Sequence, residues 1–331
     1  MSYRIASFNV CNMGRNTNRK NWDVIANIIR SESYDIVALQ EVLCEGKTLR
    51  SQLLPRLGSE WRMEWDTPNK IVTEDSDDDG SLDSRGEGYA YIWNSKRFQL
   101  VTTPMPSSNP RVSEPRILNR QGTDVTGVDV RQFFRIPYYA RFEPCTPGSK
   151  PFIELRLVNA HLFYGSLLSM DVNRRKREFN MLVREVLPGI EDHRYGNSRV
   201  AYTIVMGDYN FNLDRPWNRY PMSPLLSAAD EHIVISDGKW VKEIRTAQEG
   251  MTTLKMMVDP AAVNRGKDYK KSYRFKNNYD HFSYNERLFR EHGVSVHCSK
   301  VDAIRKYCGN DFDKYRAEVS DHVPIVFEMS F

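Results

Sequence analysis

The sequence has little cysteine and no long apolar run, which argues against a disulfide-rich protein and against a membrane-spanning one. Its 331 residues include five cysteines, which are scattered and contain no Cys-x-x-Cys pair. Neither a disulfide framework nor a zinc site is therefore expected. No stretch approaches the roughly 18 apolar residues of a membrane-spanning helix, so no stable membrane association is expected. Arg4 and Asn9 interrupt the apolar core that a signal peptide needs, so we expect a cytoplasmic protein, with secretion by another route as the alternative.

Several familiar signatures of catalysis and cofactor binding are also missing. The chain has no Gly-x-Ser-x-Gly elbow, no phosphate-binding P-loop and no Gly-x-Gly-x-x-Gly dinucleotide motif. Its formal net charge is only +4, from 47 Lys and Arg against 43 Asp and Glu. This balance does not predict nucleic-acid binding, so any basic surface must be local.

Strand-like and helix-like stretches alternate along the chain, which is typical of an α/β protein. Trp22, Ile25, Ala26 and Ile29 recur at the spacing of an amphipathic helix. Further helices are predicted at 49–57 and 179–186. Apolar runs predict strands at residues 3–10, 35–39, 89–93, 98–101, 138–142, 153–160, 201–206 and 323–329. The strands at 89–93 and 98–101 are expected to be adjacent, because only four residues join them.

Three polar stretches interrupt this alternation and are predicted to be loop insertions, near 66–86, 103–132 and 255–277. The first is rich in aspartate around Asp77. It is either a solvated acidic loop or a calcium loop, and the lack of a glutamate at the proper spacing favours the solvated loop.

Eight polar residues follow apolar strands closely, where layered sheets commonly build their sites. Each has an ordinary explanation when taken singly, such as a turn former or a buried histidine with its hydrogen bonds satisfied. Together they supply the groups that a metal-dependent phosphodiesterase needs: oxygen ligands for Mg²⁺, a carboxylate for the attacking water, and donors for phosphate oxygens. These residues are Asn9, Glu41, His161, Asp208, Asn210, Asp280, Asp321 and His322.

The sequence resembles the endonuclease/exonuclease/phosphatase superfamily, also called DNase I-like. Six short motifs carry the resemblance in the family's order and extend over nearly the whole chain. They are Ser7-Phe-Asn-Val, Leu39-Gln-Glu-Val, Asn159-Ala-His-Leu, Gly207-Asp-Tyr-Asn, Tyr279-Asp-His-Phe and Ser320-Asp-His-Val-Pro-Ile. The resemblance implies a four-layer α/β sandwich, with two mixed β-sheets face to face and helices outside. Because residues 9 to 322 must meet in one site, residues 1–331 are expected to form a single domain.

The resemblance also implies a role for each matching residue. Asn9, Glu41 and Asp321 match metal-site positions, with Mg²⁺ as the expected ion, Mn²⁺ as a substitute and Ca²⁺ as an alternative. The other positions match groups that act on the water or the phosphate. Asp208 matches the residue that activates the water, and Asn210 and His161 match residues that contact the phosphate. His322 matches the histidine at the scissile phosphate, with Asp280 as its orienting carboxylate. Glu87 matches the partner of His161.

Two departures from the family's patterns bear on the branch. His161 stands where apurinic-site endonucleases usually have tyrosine, which favours the DNase I, sphingomyelinase and phosphoinositide-phosphatase branches. Leu43 stands where DNase I-like nucleases carry an arginine that enters the DNA minor groove, so contact of that kind is not expected.

Two local basic patches favour a nucleic-acid substrate, with DNA favoured over RNA. Arg174, Arg175 and Arg177 are expected to begin the helix that carries Phe179, where positive charge opposes the helix dipole unless a phosphate binds. The second patch interleaves cations with aromatic residues before Asp280, a pattern that suits a nucleic-acid backbone and its bases. Its candidate substrate-binding residues are Lys270, Lys271 and Arg274. A solvated helix face and a surface loop are the ordinary alternatives.

Three functions remain open from the sequence. A Mg²⁺-dependent nuclease is favoured. A phosphatase or phosphodiesterase acting on inositol phosphates, phospholipids or another small phosphoester is the alternative, and an inactive binding module is the third. The oligomeric state is not indicated by any motif, and a monomer is favoured.

Overall fold

The computed structural model describes most of the chain. The described residues are 1–13, 19–43, 46–65, 69–72, 84–101, 116–117, 132–145, 152–165, 169–193, 199–210, 212, 231–236, 241–247, 250–257 and 272–331. The acidic stretch around Asp77, most of the insertion predicted at 103–132, and Lys270 and Lys271 lie outside them.

The first sheet contains both termini of the chain and has the strand order β16-β17-β1-β2-β5-β3, with β4 paired to β5. Its β1–β2 pair is parallel and the other pairs are antiparallel, so the sheet is mixed. The strands are β1 (Ser2–Met13), β2 (Ile36–Val42), β3 (Trp61–Trp65), β4 (Asn69–Val72), β5 (Ser84–Asn94), β16 (Ser295–Lys300) and β17 (Ile325–Ser330).

The second sheet is also mixed and has the order β11-β12-β15-β10-β9-β8-β6, with β7 paired to β8. Its β9–β10 pair is parallel. A separate two-stranded ribbon consists of β13 (Thr253–Met257) and β14 (Ser272–Asn277). The strands of the sheet are β6 (Phe98–Leu100), β7 (Arg116–Ile117), β8 (Tyr138–Pro144), β9 (Ile153–His161), β10 (Val200–Asp208), β11 (Glu231–Ser236), β12 (Val241–Thr246) and β15 (Asp280–Asn285).

Helices α1 (Trp22–Ser31) and α3 (Ser169–Met181) cover the outer faces of the two sheets. Helix α1 packs on the first sheet, and α3 packs on the second. The other helices are a π-helical segment (Leu49–Leu53) that continues as α2 (Leu54–Leu57), a π-helical segment (Leu182–Val186) that continues α3 into α4 (Leu187–Asp192), α5 (Glu286–Glu291), α6 (Ala303–Cys308) and α7 (Phe312–Glu318). No helix among the described residues is long and apolar enough to cross a membrane.

Three apolar clusters separate the four layers and confirm the predicted sandwich. One cluster lies between α1 and the first sheet, one between the two sheets, and one between α3 and the second sheet. Strand β1 contributes to two of these clusters. Ile5 packs between the sheets, whereas Ala6 and Phe8 pack beneath the helices. Because successive side chains point to opposite faces, a strand between two cores must be apolar on both.

The expectation that the strands at 89–93 and 98–101 are adjacent in one sheet is wrong. Strand β5 belongs to the first sheet, and β6 pairs with β8 in the second. The short turn between them carries the chain from one sheet to the other. Tyr91 and Phe98 consequently pack in the cluster between the sheets, although they belong to different sheets.

A buried polar link joins the two sheets just below the strand ends. Gln40 Nε2 donates to Asn159 Oδ1 (2.7 Å) and to Ser7 Oγ (3.1 Å), and Asn159 Nδ2 donates to Leu39 O (2.9 Å). Because β1 and β2 belong to one sheet and β9 to the other, these bonds fix the spacing of the sheets where the candidate site begins. The link satisfies the Gln40 amide nitrogen and both polar atoms of the Asn159 side chain, whereas Gln40 Oε1 has no hydrogen-bond partner among the described residues.

Candidate active site

Strand register brings three of the predicted residues together at one end of the second sheet. Asp208 at the end of β10 lies opposite His161 on β9 and opposite Asp280 on β15. Strands β9 and β15 flank β10, so the last residue of β9 and the first residue of β15 both lie beside the carboxylate of Asp208. The sequence motifs are far apart along the chain, and the sheet makes them neighbours.

Gly207 allows the β9 and β10 strands to approach this closely. It has φ +145°, and a Cβ atom there would lie 1.8 Å from the carbonyl oxygen of Ala160. Only a residue without a side chain fits such a contact. The glycine of the Gly207-Asp-Tyr-Asn motif is therefore required by the backbone that positions Asp208.

The carboxylate of Asp208 is the centre of the site. Nε2 of His161 and Nε2 of His322 each lie 3.6 Å from Asp208 Oδ2. Asn9 Nδ2 donates to the same oxygen (3.1 Å), and the backbone amide of Asn210 donates to Oδ1 (2.8 Å). Burial raises the pKa of Asp208, although His322 and His161 oppose that shift.

His322 is held from behind by Asp280. Its Nδ1 lies 2.8 Å from Asp280 Oδ2, and that oxygen also accepts from Thr252 Oγ1 (2.6 Å). Burial alone would lower the pKa of His322, but Asp280 and Asp208 outweigh it and raise the pKa well above its usual value. The arrangement favours an imidazolium whose Nε2–H points towards Asp208.

His161 is held in the same manner by Glu87. His161 Nδ1 is hydrogen-bonded to Glu87 Oε1, and Arg135 Nε donates to the other oxygen of Glu87 (2.8 Å). Burial opposes ionisation of Glu87, but Arg135 and His161 lower its pKa to about 2. Burial and Arg135 both act to lower the pKa of His161, but Glu87 and Asp208 outweigh them and raise it. The contact between Arg135 and Glu87 was not predicted from the sequence.

Asn9, Glu41 and Asp321 lie beside this histidine pair. Asn9 Nδ2 donates to Glu41 Oε1 (2.8 Å), and Glu41 Oε2 accepts from the backbone amide of Asn12 (2.7 Å). Asp321 Oδ1 is buried and has no hydrogen-bond partner among the described residues. A buried carboxylate oxygen without a donor fits a bound cation, and these oxygen ligands suit Mg²⁺.

The backbone around these residues is strained, as is common at functional sites. Glu41 has φ +58° and Asn210 has φ +53°, and Cys11 and Asn12 follow Asn9 with φ +49° and +52°. Left-handed backbone is uncommon for residues other than glycine. At Asn210 it turns the side chain back so that Nδ2 donates to Leu162 O (2.9 Å).

A second group of side chains in the same site has metal-ligating geometry. Ligand atoms of Asp208, Asp280 and His322 all lie within 4.8 Å of one another. This buried group could hold a metal ion. However, Asp280 Oδ2 already accepts two hydrogen bonds, so its present role is to orient His322.

The first basic patch does not begin its helix, contrary to the sequence-based expectation. Helix α3 begins at Ser169, so Arg174, Arg175 and Arg177 lie within it rather than at its N-terminus. The early part of α3 was missed because its inward positions include the buried polar residues Arg175 and Glu178, which break the apolar periodicity. The argument that these charges need a phosphate to offset the helix dipole therefore fails.

The predicted basic residues make separate contacts, and Arg174, Arg175, Arg177 and Arg274 do not line the cavity that contains His161, Asp208 and His322. Arg174 lies over the rings of Phe163 and Phe134, at 4.7 and 4.9 Å from their centroids. Arg175 is buried and donates to Tyr164 O (2.6 Å), whereas Arg177 is exposed and bonded to Gln132. Arg274 is exposed on β14, with its guanidinium over Phe312.

A cavity of about 760 Å³ opens directly over the candidate residues. Glu41, His161, Asp208, Asn210, Asp321 and His322 lie on its floor and sides. Its wall also includes Tyr164 and Lys255, which were not predicted, and Tyr273, an aromatic residue of the second basic patch. The signal that could have found Tyr164 is its place three residues after His161, in a loop at a strand end.

The chain belongs to the endonuclease/exonuclease/phosphatase family, whose model matches residues 6–322. It is a phosphoesterase of that family with a buried Asp208, Asp280 and His322 cluster at its site. No curated protein compared with the chain matches it in sequence.

Solved structures share the fold at low sequence identity. A humanized D. rerio TDP2 with 14 mutations aligns with a TM-score of 0.50 and 15% identity, over 100% of this chain and 99% of that one. A truncated Caenorhabditis elegans TDP2 gives 0.50 and 16%, over 100% and 98%. ANGEL2, described as a 2',3'-cyclic phosphatase, gives 0.51 and 13%, over 99% and 95%. These similarities confirm the predicted DNase I-like fold.

Proposed function

We propose that the protein is a Mg²⁺-dependent nuclease that hydrolyses phosphodiester bonds in DNA or RNA, with DNA favoured. The observation that carries this proposal is the pair of histidines whose Nε2 atoms lie 3.6 Å from one oxygen of Asp208. At this point Asp208 can accept a proton from a water, and the two histidines can donate hydrogen bonds to a phosphate. Proton transfer and charge stabilisation of this kind are what phosphodiester hydrolysis requires.

Asp208 is proposed to accept the proton of the attacking water. Asn9 Nδ2 and the amide of Asn210 hold its carboxylate in a fixed orientation, which leaves the carboxylate directed into the cleft. A carboxylate with a raised pKa is a stronger base than an ordinary one and suits this task. The same two hydrogen bonds keep Asp208 from rotating away from the water.

His161 and His322 are proposed to donate through Nε2 to the phosphate oxygens, with Asn210 nearby as a further contact. Glu87 and Asp280 hold Nδ1 of the two rings, so each Nε2 faces the cleft. Donors fixed in advance stabilise the charge that develops in the transition state without reorganising.

Glu41 and Asp321, with Asn9 beside them, would hold the Mg²⁺ ion. When bound, the ion supplies positive charge that neutralises the phosphate and favours ionisation of the water. Asn9 Oδ1 already accepts from the backbone amide of Cys11 (2.9 Å), so its main contribution is to hold Glu41 and Asp208 in place.

The choice of nucleic acid over a small phosphoester rests on the cleft wall. Lys255 Nζ lies 5.8 Å from the ring centroid of Tyr164, and Arg316 lies 5.8 Å from that of Tyr273. Cations interleaved with aromatic rings suit a chain of phosphates and bases. These two pairs favour a nucleic-acid strand over a single phosphoester.

A direct assay tests the proposal. Supercoiled plasmid, single-stranded DNA, RNA and a panel of phosphoinositides are each incubated with the protein in Mg²⁺ or in EDTA. We expect cleavage of nucleic acid in Mg²⁺ and none in EDTA. Release of phosphate from an inositol phosphate, with every nucleic acid left intact, would contradict the nuclease proposal and favour the phosphatase alternative.

A further inference from the structure

Tyr164 presents an aromatic ring to the active-site cleft. It follows His161 by three residues, lines the cavity over Asp208, and leaves 50% of its surface exposed. Met256, which lines the same cavity, is 45% exposed. Two large apolar side chains left open beside a polar floor make a surface on which a flat apolar group can rest.

Hydrogen bonds from α3 hold the backbone of Phe163 and Tyr164. Arg175 of α3 is buried and donates to Tyr164 O (2.6 Å). Glu178, on the next turn of α3, accepts from the backbone amide of Phe163 (2.8 Å) through one oxygen and from that of Phe134 (2.8 Å) through the other. These bonds account for two buried charged residues that have no place in the hydrolysis. Because the backbone of Tyr164 is already held in place, a ligand that contacts its ring loses little entropy in fixing it.

Lys255 brings positive charge to the same ring. Its Nζ lies 3.4 Å from the hydroxyl oxygen of Tyr164 and 5.8 Å from the ring centroid. Arg274 lies opposite Lys255 in the β13–β14 register, but its guanidinium lies over Phe312. Lys255 is therefore the cation of this pair that faces Tyr164.

We propose that Tyr164 stacks on an unpaired nucleobase next to the scissile phosphate, and that Lys255 contacts a neighbouring phosphate of the same strand. The protein therefore prefers single-stranded or locally unpaired nucleic acid, because bases within a duplex already stack on each other. This inference rests on the proposed nuclease function and specifies its substrate. Stacking of this kind tolerates any base, since every base has a flat face.

The test measures whether the effects of removing the Tyr164 ring and removing the base depend on each other, as they must if the two stack. A single-stranded oligonucleotide with one cleavable bond is compared with the same strand in which abasic tetrahydrofuran residues flank that bond. Wild type, Tyr164→Ala, Tyr164→Phe and Tyr164→Trp are assayed on both. Phe152→Ala is the matched control, because Phe152 is an exposed aromatic residue just before β9, at the opposite end of that strand from His161.

We expect Tyr164→Ala to lower kcat/KM on the normal strand by a factor of about 5–150, the range of base–aromatic stacking, with Tyr164→Phe, Tyr164→Trp and Phe152→Ala near wild type. The abasic strand should lower kcat/KM of wild type by a similar factor and that of Tyr164→Ala hardly at all. Binding of the labelled strands in EDTA, followed by fluorescence anisotropy, should show the same pattern.

Two contrary results have different meanings. If wild type cleaves the strand but the effects of Tyr164→Ala and of the abasic residues multiply independently, the stacking proposal is wrong and the nuclease proposal stands. If wild type cleaves no nucleic acid at all, both are overturned.

Discussion

At the scale of single residues, the site is organised by carboxylates that hold imidazoles. Glu87 and Asp280 each occupy Nδ1 of a histidine, and both histidines direct Nε2 at Asp208. Arg135 extends one of these chains by a further contact. A histidine fixed at Nδ1 has a defined tautomer and orientation, which loose histidines lack.

Replacement of either histidine should therefore remove turnover without removing the fold. His161→Ala and His322→Ala are each expected to lower kcat by about 10²–10⁴-fold, because each removes one donor to the phosphate. Steady-state kinetics on an oligonucleotide checks this, with circular dichroism to confirm folding. His297→Ala, at an exposed histidine on β16, is the control and should be fully active. A variant at 161 or 322 with near-normal turnover would remove that residue from the mechanism.

At the scale of elements, the site depends on how closely β9 and β10 approach. Gly207 permits an approach in which a Cβ atom would meet Ala160 O at 1.8 Å. Because Asp208 is the next residue, any shift of β10 that relieves such a clash also moves the central carboxylate. Stability and activity are thus linked at this one glycine.

Gly207→Ala is expected to lower the free energy of unfolding by about 2–4 kcal/mol, from the strain of a positive φ and from overpacking. Chemical denaturation measures this. Gly293→Ala provides the comparison, because Gly293 has φ +69° and nothing within 4 Å of its added Cβ atom. That variant should lose only about 1–2 kcal/mol, from backbone strain alone. Equal losses in the two variants would show that the contact with Ala160 is unimportant.

A buried ion cluster joins β8, β9 and α4. Glu154 accepts from Arg141 and Arg156, and Arg156 also donates to carbonyl oxygens at the end of α4, including Ile190 O (2.5 Å). Burial acts to raise the pKa of Glu154, but its hydrogen bonds with the two arginines outweigh that effect and lower it. If the negative charge of Glu154 is removed, the guanidinium groups of Arg141 and Arg156 remain buried but lose this counterion.

Glu154→Gln should accordingly lower the free energy of unfolding by about 3–5 kcal/mol at neutral pH. The pKa of Glu154 is lower in the folded state, so its stabilisation is complete above the unfolded pKa of about 4.3 and is lost as pH falls through the folded value. The difference between wild type and variant should therefore shrink in acid. Urea titrations at several pH values test this. Glu291→Gln, at an exposed ion pair with Arg287 on α5, should show no such difference.

At the scale of the whole molecule, the resemblance to the family predicts the four layers, and its six motifs predict that the candidate residues meet in one site. Apolar spacing by itself predicts individual strands and helices. The motifs predict the pairs Glu87–His161 and Asp280–His322, but they could not predict contacts made by residues outside the motifs. Arg135 reaches Glu87 and Arg175 reaches Tyr164 through tertiary packing that no local pattern encodes.

Two further features, the change of sheet after β5 and the start of α3, could not be predicted from the sequence. The turn after β5 changes sheets, because a short turn can join neighbouring sheets as readily as neighbouring strands. The start of α3 has polar residues on its inward face, where a search for apolar spacing finds no signal. The second feature is related to the site, because Arg175 and Glu178 on this face hold the backbone of Tyr164 and Phe163 beside the cleft.

The most direct measurement of the central claim is the turnover of wild type and Asp208→Asn on a single-stranded oligonucleotide in Mg²⁺. Asparagine has nearly the same shape as aspartate but is a much weaker proton acceptor, so the fold and oligonucleotide binding should remain. The account predicts that kcat falls by at least about 10²-fold while anisotropy-measured affinity changes little. Turnover by Asp208→Asn within a few-fold of wild type would contradict it.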